Sequence, residues 1–271
     1  MRVSAETLVT HARHAALAAC LTLTAAAPAF GQQPLAEPPS AFEYFPRYDF
    51  LMSAAALSYD DPRFSWDIHW AGDFDLIDYV AGRLMFLADY QTILGNEFRA
   101  FDPYQSNYTL EASGSARVGP TEVALVLNHV SRHLGDRPKR IAVADNSLGG
   151  RVMRQVAFGP ATADLRGDLR WVIARAYVDY TWIAVGDALL RRPVSERVGV
   201  YAHGNLELYG VDTSIAGRDN QVGGRLEGGV RLSGNRGALE LFAGWERMVD
   251  ADPLDRITRQ WLYAGFRLVG R

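Results

Sequence analysis

The chain of 271 residues contains one cysteine, Cys20, and one lysine, Lys139. A single cysteine cannot close an internal disulfide or build a cysteine-based metal site. Positive charge is therefore almost all arginine, and 28 basic against 31 acidic residues give a net charge of −3. That balance lacks the basic excess that nucleic-acid binding needs. There is no Gly-rich phosphate loop, no Gly-x-Ser-x-Gly elbow and no zinc-type cysteine set, so neither cofactor nor metal is expected. Beyond the first thirty residues no apolar run reaches the roughly 20 residues of a spanning helix. The best candidates, Phe50 to Leu57 and Val123 to Leu127, are far too short.

The N-terminus has the pattern of a secretory leader. Arg2 and Arg13 precede an apolar stretch from Ala15 to Ala29, and Ala27-Pro28-Ala29 offers small residues for cleavage before Phe30. Cleavage before Gln32 is the near alternative. Leu17-Ala18-Ala19-Cys20 also fits a lipidation signal, although few apolar residues precede it and the apolar stretch continues after it. The expected organisation is a leader over 1–29, a proline-containing arm over 30–45 and one folded unit over 46–271.

That unit alternates with period two, the mark of strands with two unlike faces. In Val198 to Tyr209, Val198, Val200, Ala202, Leu206 and Leu208 oppose Tyr201, His203, Asn205, Glu207 and Tyr209. The same holds for Val222 to Leu232, for Leu239 to Glu246 and for Trp261 to Leu268. Arg170 to Trp182 reads as a further strand, with Val172, Ala174 and Ala176 opposing Trp171, Ile173, Arg175 and Asp179. Candidate strands in the N-terminal half are 48–58, 63–74, 80–94, 107–118, 121–134 and 148–158. These segments exceed the ordinary strand length of about 5 to 6 residues and suit a tilted membrane crossing of roughly 9 to 11. Eleven candidates, and the even strand number usual for bacterial barrels, point to an antiparallel up-and-down transmembrane β-barrel of about twelve strands, with ten the alternative.

The polar face carries Arg175, Asp179, Glu207, Arg225, Glu227, Arg231, Glu240, Glu246 and Arg267. Such charges cannot face lipid, where an arginine at mid-bilayer costs about 2 to 4 kcal/mol. They are expected to line a lumen as a paired network that fills it. Aromatics flanking the apolar face, such as Trp66, Trp70, Tyr180 and Trp182, suit interfacial girdles. Asp60-Asp61 and Asp73-x-Asp75-x-x-Asp78 read as solvated turn residues. The last strand ends in Arg271 and not in the aromatic common at the end of such barrels.

One cluster carries chemistry: Asn128-His129-Val130-Ser131-Arg132-His133-Leu134-Gly135-Asp136. On a strand, His129, Ser131 and His133 share a face, with the histidines about 13 Å apart, too far to share a metal ion. The spacing of Val123, Leu127, Val130 and Leu134 also fits a helix, on which the two histidines would be neighbours. The run His129 to Asp136, with the exported β-rich pattern, resembles a family of uncharacterised bacterial outer-membrane β-barrels, which implies the fold and no activity. The His-x-Ser spacing resembles lipid A 3-O-deacylases, small outer-membrane barrels. That resemblance implies His129 as general base and Ser131 as nucleophile; the family's Glu about a dozen residues on is absent here, since position 143 is Val143, and the nearest acids are Asp136, the candidate third member, and Asp145. The leading expectation is a non-enzymatic outer-membrane barrel, structural or transport-related, exported by the Sec route, with outer-membrane lipids and the barrel assembly machinery as partners. A lipid-modifying esterase is the alternative, and a soluble periplasmic β-protein the third.

Overall fold

The structure, a computed structural model, describes residues 33–34, 39–138 and 141–270. The leader, its Cys20 and much of the arm lie outside the described residues. Twelve strands form one closed antiparallel barrel. The first six are β1 (Glu43–Ser58), β2 (Trp66–Asp78), β3 (Arg83–Gly95), β4 (Asp102–Val118), β5 (Thr121–Leu134) and β6 (Val143–Phe158). They are followed by β7 (Ala161–Ala176), β8 (Tyr180–Pro193), β9 (Val198–Val211), β10 (Gln221–Ser233), β11 (Gly237–Met248) and β12 (Arg259–Gly270). Each strand pairs with its sequence neighbours. β1 closes the ring on β12, in register from Phe50 opposite Gly270 to Ser58 opposite Leu262. A short helix, α1 (Thr213–Ala216), interrupts the β9–β10 connection; Asp212 caps it by accepting from the Ser214 N–H.

Two expectations need correcting. The segment 170–182 is not one strand: β7 ends at Ala176 and β8 begins at Tyr180, so the straddling candidate supplies the twelfth strand. The barrel also starts at Glu43, inside the stretch assigned to the arm. The helical alternative for 123–134 is excluded, because β5 occupies the segment.

The two ends differ. At one end the connections are short: 79–82, 119–120, 159–160, 194–197 and 234–236. Gly119-Pro120 and Gly159-Pro160 are two-residue turns whose glycines have φ of 57° and 58°, a sign that L residues resist and that a tight hairpin requires at its first central position. At the other end the connections 59–65, 96–101, 135–142, 212–220 and 249–258 are longer, and only 177–179 is short. Outer-membrane barrels show the same asymmetry, with short turns on the periplasmic side.

The strands sort their residues as the alternation requires. Leu125, Leu127, Val152, Leu169, Leu206, Leu241 and Leu262 point outward and are exposed, and Leu125 and Leu262 exceed 60% exposure. Their inward neighbours include Glu111, Asn128, Arg151, Asp168, Glu227 and Arg267, all buried. This is a globular protein turned inside out, with hydrocarbon outside and charge inside. Such an exterior has no favourable contact with water and fits a bilayer. Outward aromatics sit toward both ends, Tyr48, Phe86 and Phe158 near the short turns and Trp70, Tyr108 and Trp171 nearer the loops. Tyr180 departs from the girdle expectation: it is buried and donates to Asp250 at 2.5 Å.

A charge on the apolar exterior tests this placement. Leu125→Arg is expected to destabilise the barrel in lipid vesicles by about 2 to 4 kcal/mol in reversible urea unfolding. A change below about 0.5 kcal/mol, typical of a water-facing surface position, would contradict it.

Candidate active site

The lumen is a lattice of ion pairs. Arg151 is clamped between Glu111, at 2.6 and 2.8 Å, and Asp168, at 2.7 and 2.9 Å. Arg267 bridges Glu227 at 2.9 Å and Glu240 at 2.7 Å, Glu240 also accepts from Arg231 at 2.5 Å, and the Tyr201 hydroxyl donates to Glu227 at 2.8 Å. Arg225 lies over the Tyr263 ring, 4.1 Å from its centroid, and 3.7 Å from Asp67. Glu246 accepts from the Trp261 indole at 2.9 Å, and Glu207 from the Tyr209 hydroxyl at 2.7 Å. Gly244 leaves room for the Tyr263 ring, since a Cβ there would come within 2.4 Å of its hydroxyl oxygen.

Two members of the predicted network sit elsewhere. Arg175 is at the loop-end rim, paired with Asp212 at 2.8 Å, because the strand it was assigned to ends at Ala176. Asp179 lies in the β7–β8 turn and pairs with Arg218 at 2.7 Å. The acid-rich run in β2 is also not a set of solvated turn residues. Asp75 and Asp78 are fully buried on a strand, Asp75 against Arg83 at 2.8 Å and Asp78 against Arg117.

The 249–258 connection folds over the loop-end mouth. The Ala251 carbonyl accepts from Gln105 at 2.7 Å and from Arg132 at 3.1 Å, while the Asp250 carbonyl accepts from Arg132 at 2.5 Å. Asp252 takes the Tyr104 hydroxyl and, at 3.1 Å, Arg63. A lumen cavity of about 340 Å³ lies beneath, and another of about 320 Å³ opens toward the short turns. The charged side chains at mid-barrel are buried, Arg151 and Glu227 at 2% exposure, which a wide water-filled pore would not allow.

The chemically capable cluster is on the opposite surface. In β5, Asn128 and Arg132 point into the barrel, so His129, Ser131 and His133 point out, near the loop end. The Ser131 hydroxyl hydrogen-bonds with His133 Nε2 at 2.8 Å. His129 Nδ1 lies 3.0 Å from the Asn146 side-chain oxygen, on the residue directly opposite it in β6. An amide oxygen only accepts, so this bond places the His129 proton on Nδ1 and leaves the lone pair on Nε2, the form a general base needs.

The setting is apolar. Leu110 faces His129 across β4, and Leu125, Leu127 and Leu148 continue the exterior toward mid-barrel. Tyr108 is opposite Ser131 and meets the His133 ring edge-on, with centroids 5.6 Å apart. Tyr90 and Trp70 extend the row on β3 and β2, with ring centroids 5.0 and 5.7 Å apart in turn.

Asp136 does not join the cluster. It lies in the β5–β6 loop with φ of 49° and pairs with the exposed Arg99 at 2.7 Å. The polar side chain beside His129 is Asn146 and not Asp136. Proximity in sequence missed it; the β5–β6 hairpin register, which sets residue 129 opposite 146, is the signal that finds it. No group of metal-ligating side chains occurs among the described residues.

No known family model and no curated protein matches the chain. Solved structures do. Outer membrane phospholipase A from Escherichia coli aligns at a TM-score of 0.51 and 12% identity, over 84% of this chain and 98% of that one. The same enzyme with an active-site asparagine replaced by alanine aligns at 0.51 and 10%, over 88% and 94%. An outer membrane channel from Pseudomonas putida F1 aligns at 0.51 and 11%, over 88% and 97%. At such identity these likenesses show the fold, that of outer-membrane β-barrels, and nothing finer.

Arg151→Met leaves Glu111 and Asp168 buried without their partner and is expected to cost about 3 to 5 kcal/mol in urea unfolding; a cost below 1 kcal/mol would mean the lattice is not coupled to stability. In the 59–65 loop, hydrogen bonding from Arg63 holds the Asp61 carboxyl below its ordinary value of 3.8. The folded value is the lower one, so this stabilisation is complete above pH 3.8 and lost as pH falls through the folded value. The Phe64 amide, which donates to the Asp61 carbonyl, should lose hydrogen-exchange protection in that acid window, after correction for intrinsic exchange rates, and Asp61→Asn should remove the acid dependence.

Proposed function

We propose that this protein is an outer-membrane serine esterase acting on the acyl esters of envelope lipids. The observation that carries the reading is the outward cluster itself. A hydroxyl, two imidazoles and a carboxamide converge on the apolar exterior of a barrel. Polar groups on a lipid-facing surface are costly unless they serve a purpose. The barrel fold alone does not choose a function, since a phospholipase and a channel both share it. The packed lumen disfavours the transport role expected from the sequence, and the site favours the esterase alternative. Location selects the substrate: what reaches Ser131 from outside the barrel is a lipid.

Ser131 is the nucleophile, His129 the general base and Asn146 the residue that orients it. In the E. coli phospholipase an asparagine also belongs to the active site. When the serine hydroxyl turns toward His129, Nε2 takes its proton as Oγ bonds to the ester carbonyl carbon. The alkoxy C–O bond then breaks and the departing alcohol receives the proton from His129. Water repeats the sequence on the acyl-serine, releasing the fatty acid and restoring Ser131. Asn146 fixes the His129 tautomer and stabilises the imidazolium through its carbonyl oxygen. Tyr108, Tyr90 and Trp70 offer a flat surface beside the ester at the depth where headgroup meets chain. The outer membrane is the location this reading requires, with a Sec-type leader as the route to it.

The test is fatty-acid release from phospholipid and from lipid A in mixed micelles, by mass spectrometry. Wild-type protein should release acyl chains from at least one of the two. Ser131→Ala should lower the rate by at least about 10³-fold, and Asn146→Ala by about 10²-fold through loss of base alignment. Equal rates for wild type and Ser131→Ala would overturn the proposal.

A further inference from the structure

Ser131 has a histidine two residues away on either side, and both share its outward face. Along a strand each lies about 7 Å from the serine, so one hydroxyl can engage only one of them at a time. In this structure it engages His133, at 2.8 Å, while His129 is held by Asn146 at 3.0 Å. The two imidazoles are not equivalent. His129 has an amide oxygen fixing its Nδ1, so its Nε2 is a defined acceptor for a proton. His133 packs against the edge of Tyr108 and is exposed at the loop-end margin.

We propose that His133 is a parking site for the Ser131 hydroxyl, which keeps the esterase in a resting state and competes with the reactive pairing to His129. This inference rests on the esterase reading. The switch is a rotation of about 120° around the serine Cα–Cβ bond between two staggered positions, which carries Oγ from the His133 side to the His129 side. No backbone movement is needed, so the sheet around the site stays as it is. The fraction of molecules with the hydroxyl on His129 sets the apparent reactivity, as with any minor competent state. One ordinary hydrogen bond, net, holds the parked state. Removing it should raise the reactive fraction about fivefold. His133 is a positioning residue here: it acts on the reaction through where it holds Ser131. For a lipid hydrolase embedded in its own substrate, a resting state of this kind lowers turnover of the membrane that surrounds it.

The experiment measures covalent modification of Ser131 by a long-chain p-nitrophenyl alkylphosphonate, on full-length barrels folded in detergent micelles. The Oγ–P bond forms, the P–O bond to p-nitrophenolate breaks, and the serine proton passes to His129. Release of p-nitrophenolate gives the rate, and peptide mass spectrometry locates the adduct. Gel mobility with and without boiling shows that each variant has folded. His133→Phe keeps a ring against Tyr108 and removes the acceptor; His133→Gln keeps an acceptor.

The expected result is modification of Ser131 about fivefold faster in His133→Phe than in wild type, with His133→Gln slower than His133→Phe. A rate in His133→Phe at or below wild type overturns the parking role, as does an equal gain in His133→Gln. If His133→Phe abolishes modification and His129→Phe does not, His133 is itself the base; parking and the role of His129 are then wrong, and an esterase built on Ser131 and His133 stands. If neither wild type nor His133→Phe is modified at Ser131, the esterase reading and the parking role fall together.

Discussion

The structure depends on one constraint: in hydrocarbon, a backbone N–H or C=O has no partner except another backbone group. Twelve strands meet it by closing on themselves, and the β1–β12 register completes the ring so that no strand edge remains open. Closure then dictates the side chains. Every second residue must tolerate lipid, which gives the leucine and valine exterior, and the remainder must fill a narrow interior. Polar residues on the lipid side break that rule. His129, Ser131, His133 and Asn146 break it together at one place, which is why they read as function and not as scaffold.

The interior answers a different problem. Charges taken from water cost several kcal/mol each unless well paired, and here they are paired repeatedly, mostly by arginine. Its planar fork can serve two carboxylates at once, as Arg151 does with Glu111 and Asp168 and Arg267 does with Glu227 and Glu240. Lysine offers a point charge and would serve this lattice poorly, which fits a chain with a single lysine. The arginine Arg132 links the two surfaces. It holds the 249–258 connection from inside the barrel, while its neighbours Ser131 and His133 form the site outside. A rigid wall and a covered lumen thus stand directly behind the outward cluster.

Much of the fold was legible in the sequence because period-two alternation is what a two-faced wall requires. Strand β5 matches its sequence reading at both ends, bounded by Gly119-Pro120 and Gly135. The reading failed over 170–182 because Tyr177-Val178-Asp179 continues the alternation through a three-residue turn that has no glycine or proline to mark it. The inward position of Asp75 and Asp78 was missed for the opposite reason: aspartate-rich runs usually mark turns, and only the register against β1 and β3 shows them buried. In the candidate site, His129 and Ser131 were legible from their spacing. Asn146 was not, since it is 17 residues from His129 and becomes its neighbour only through strand pairing.

An esterase of this kind requires Ser131 to face lipid. Brominated-lipid quenching measures this directly. Ser131→Cys in a chain beginning at Phe30, which has no other cysteine, would carry a small fluorophore in vesicles of lipids brominated along the acyl chain. An Arg132→Cys chain, whose side chain faces the lumen, would serve as comparison. Strong quenching at position 131 and weak quenching at 132 is the predicted result. Equal or reversed quenching would place the serine away from the acyl chains and contradict the account.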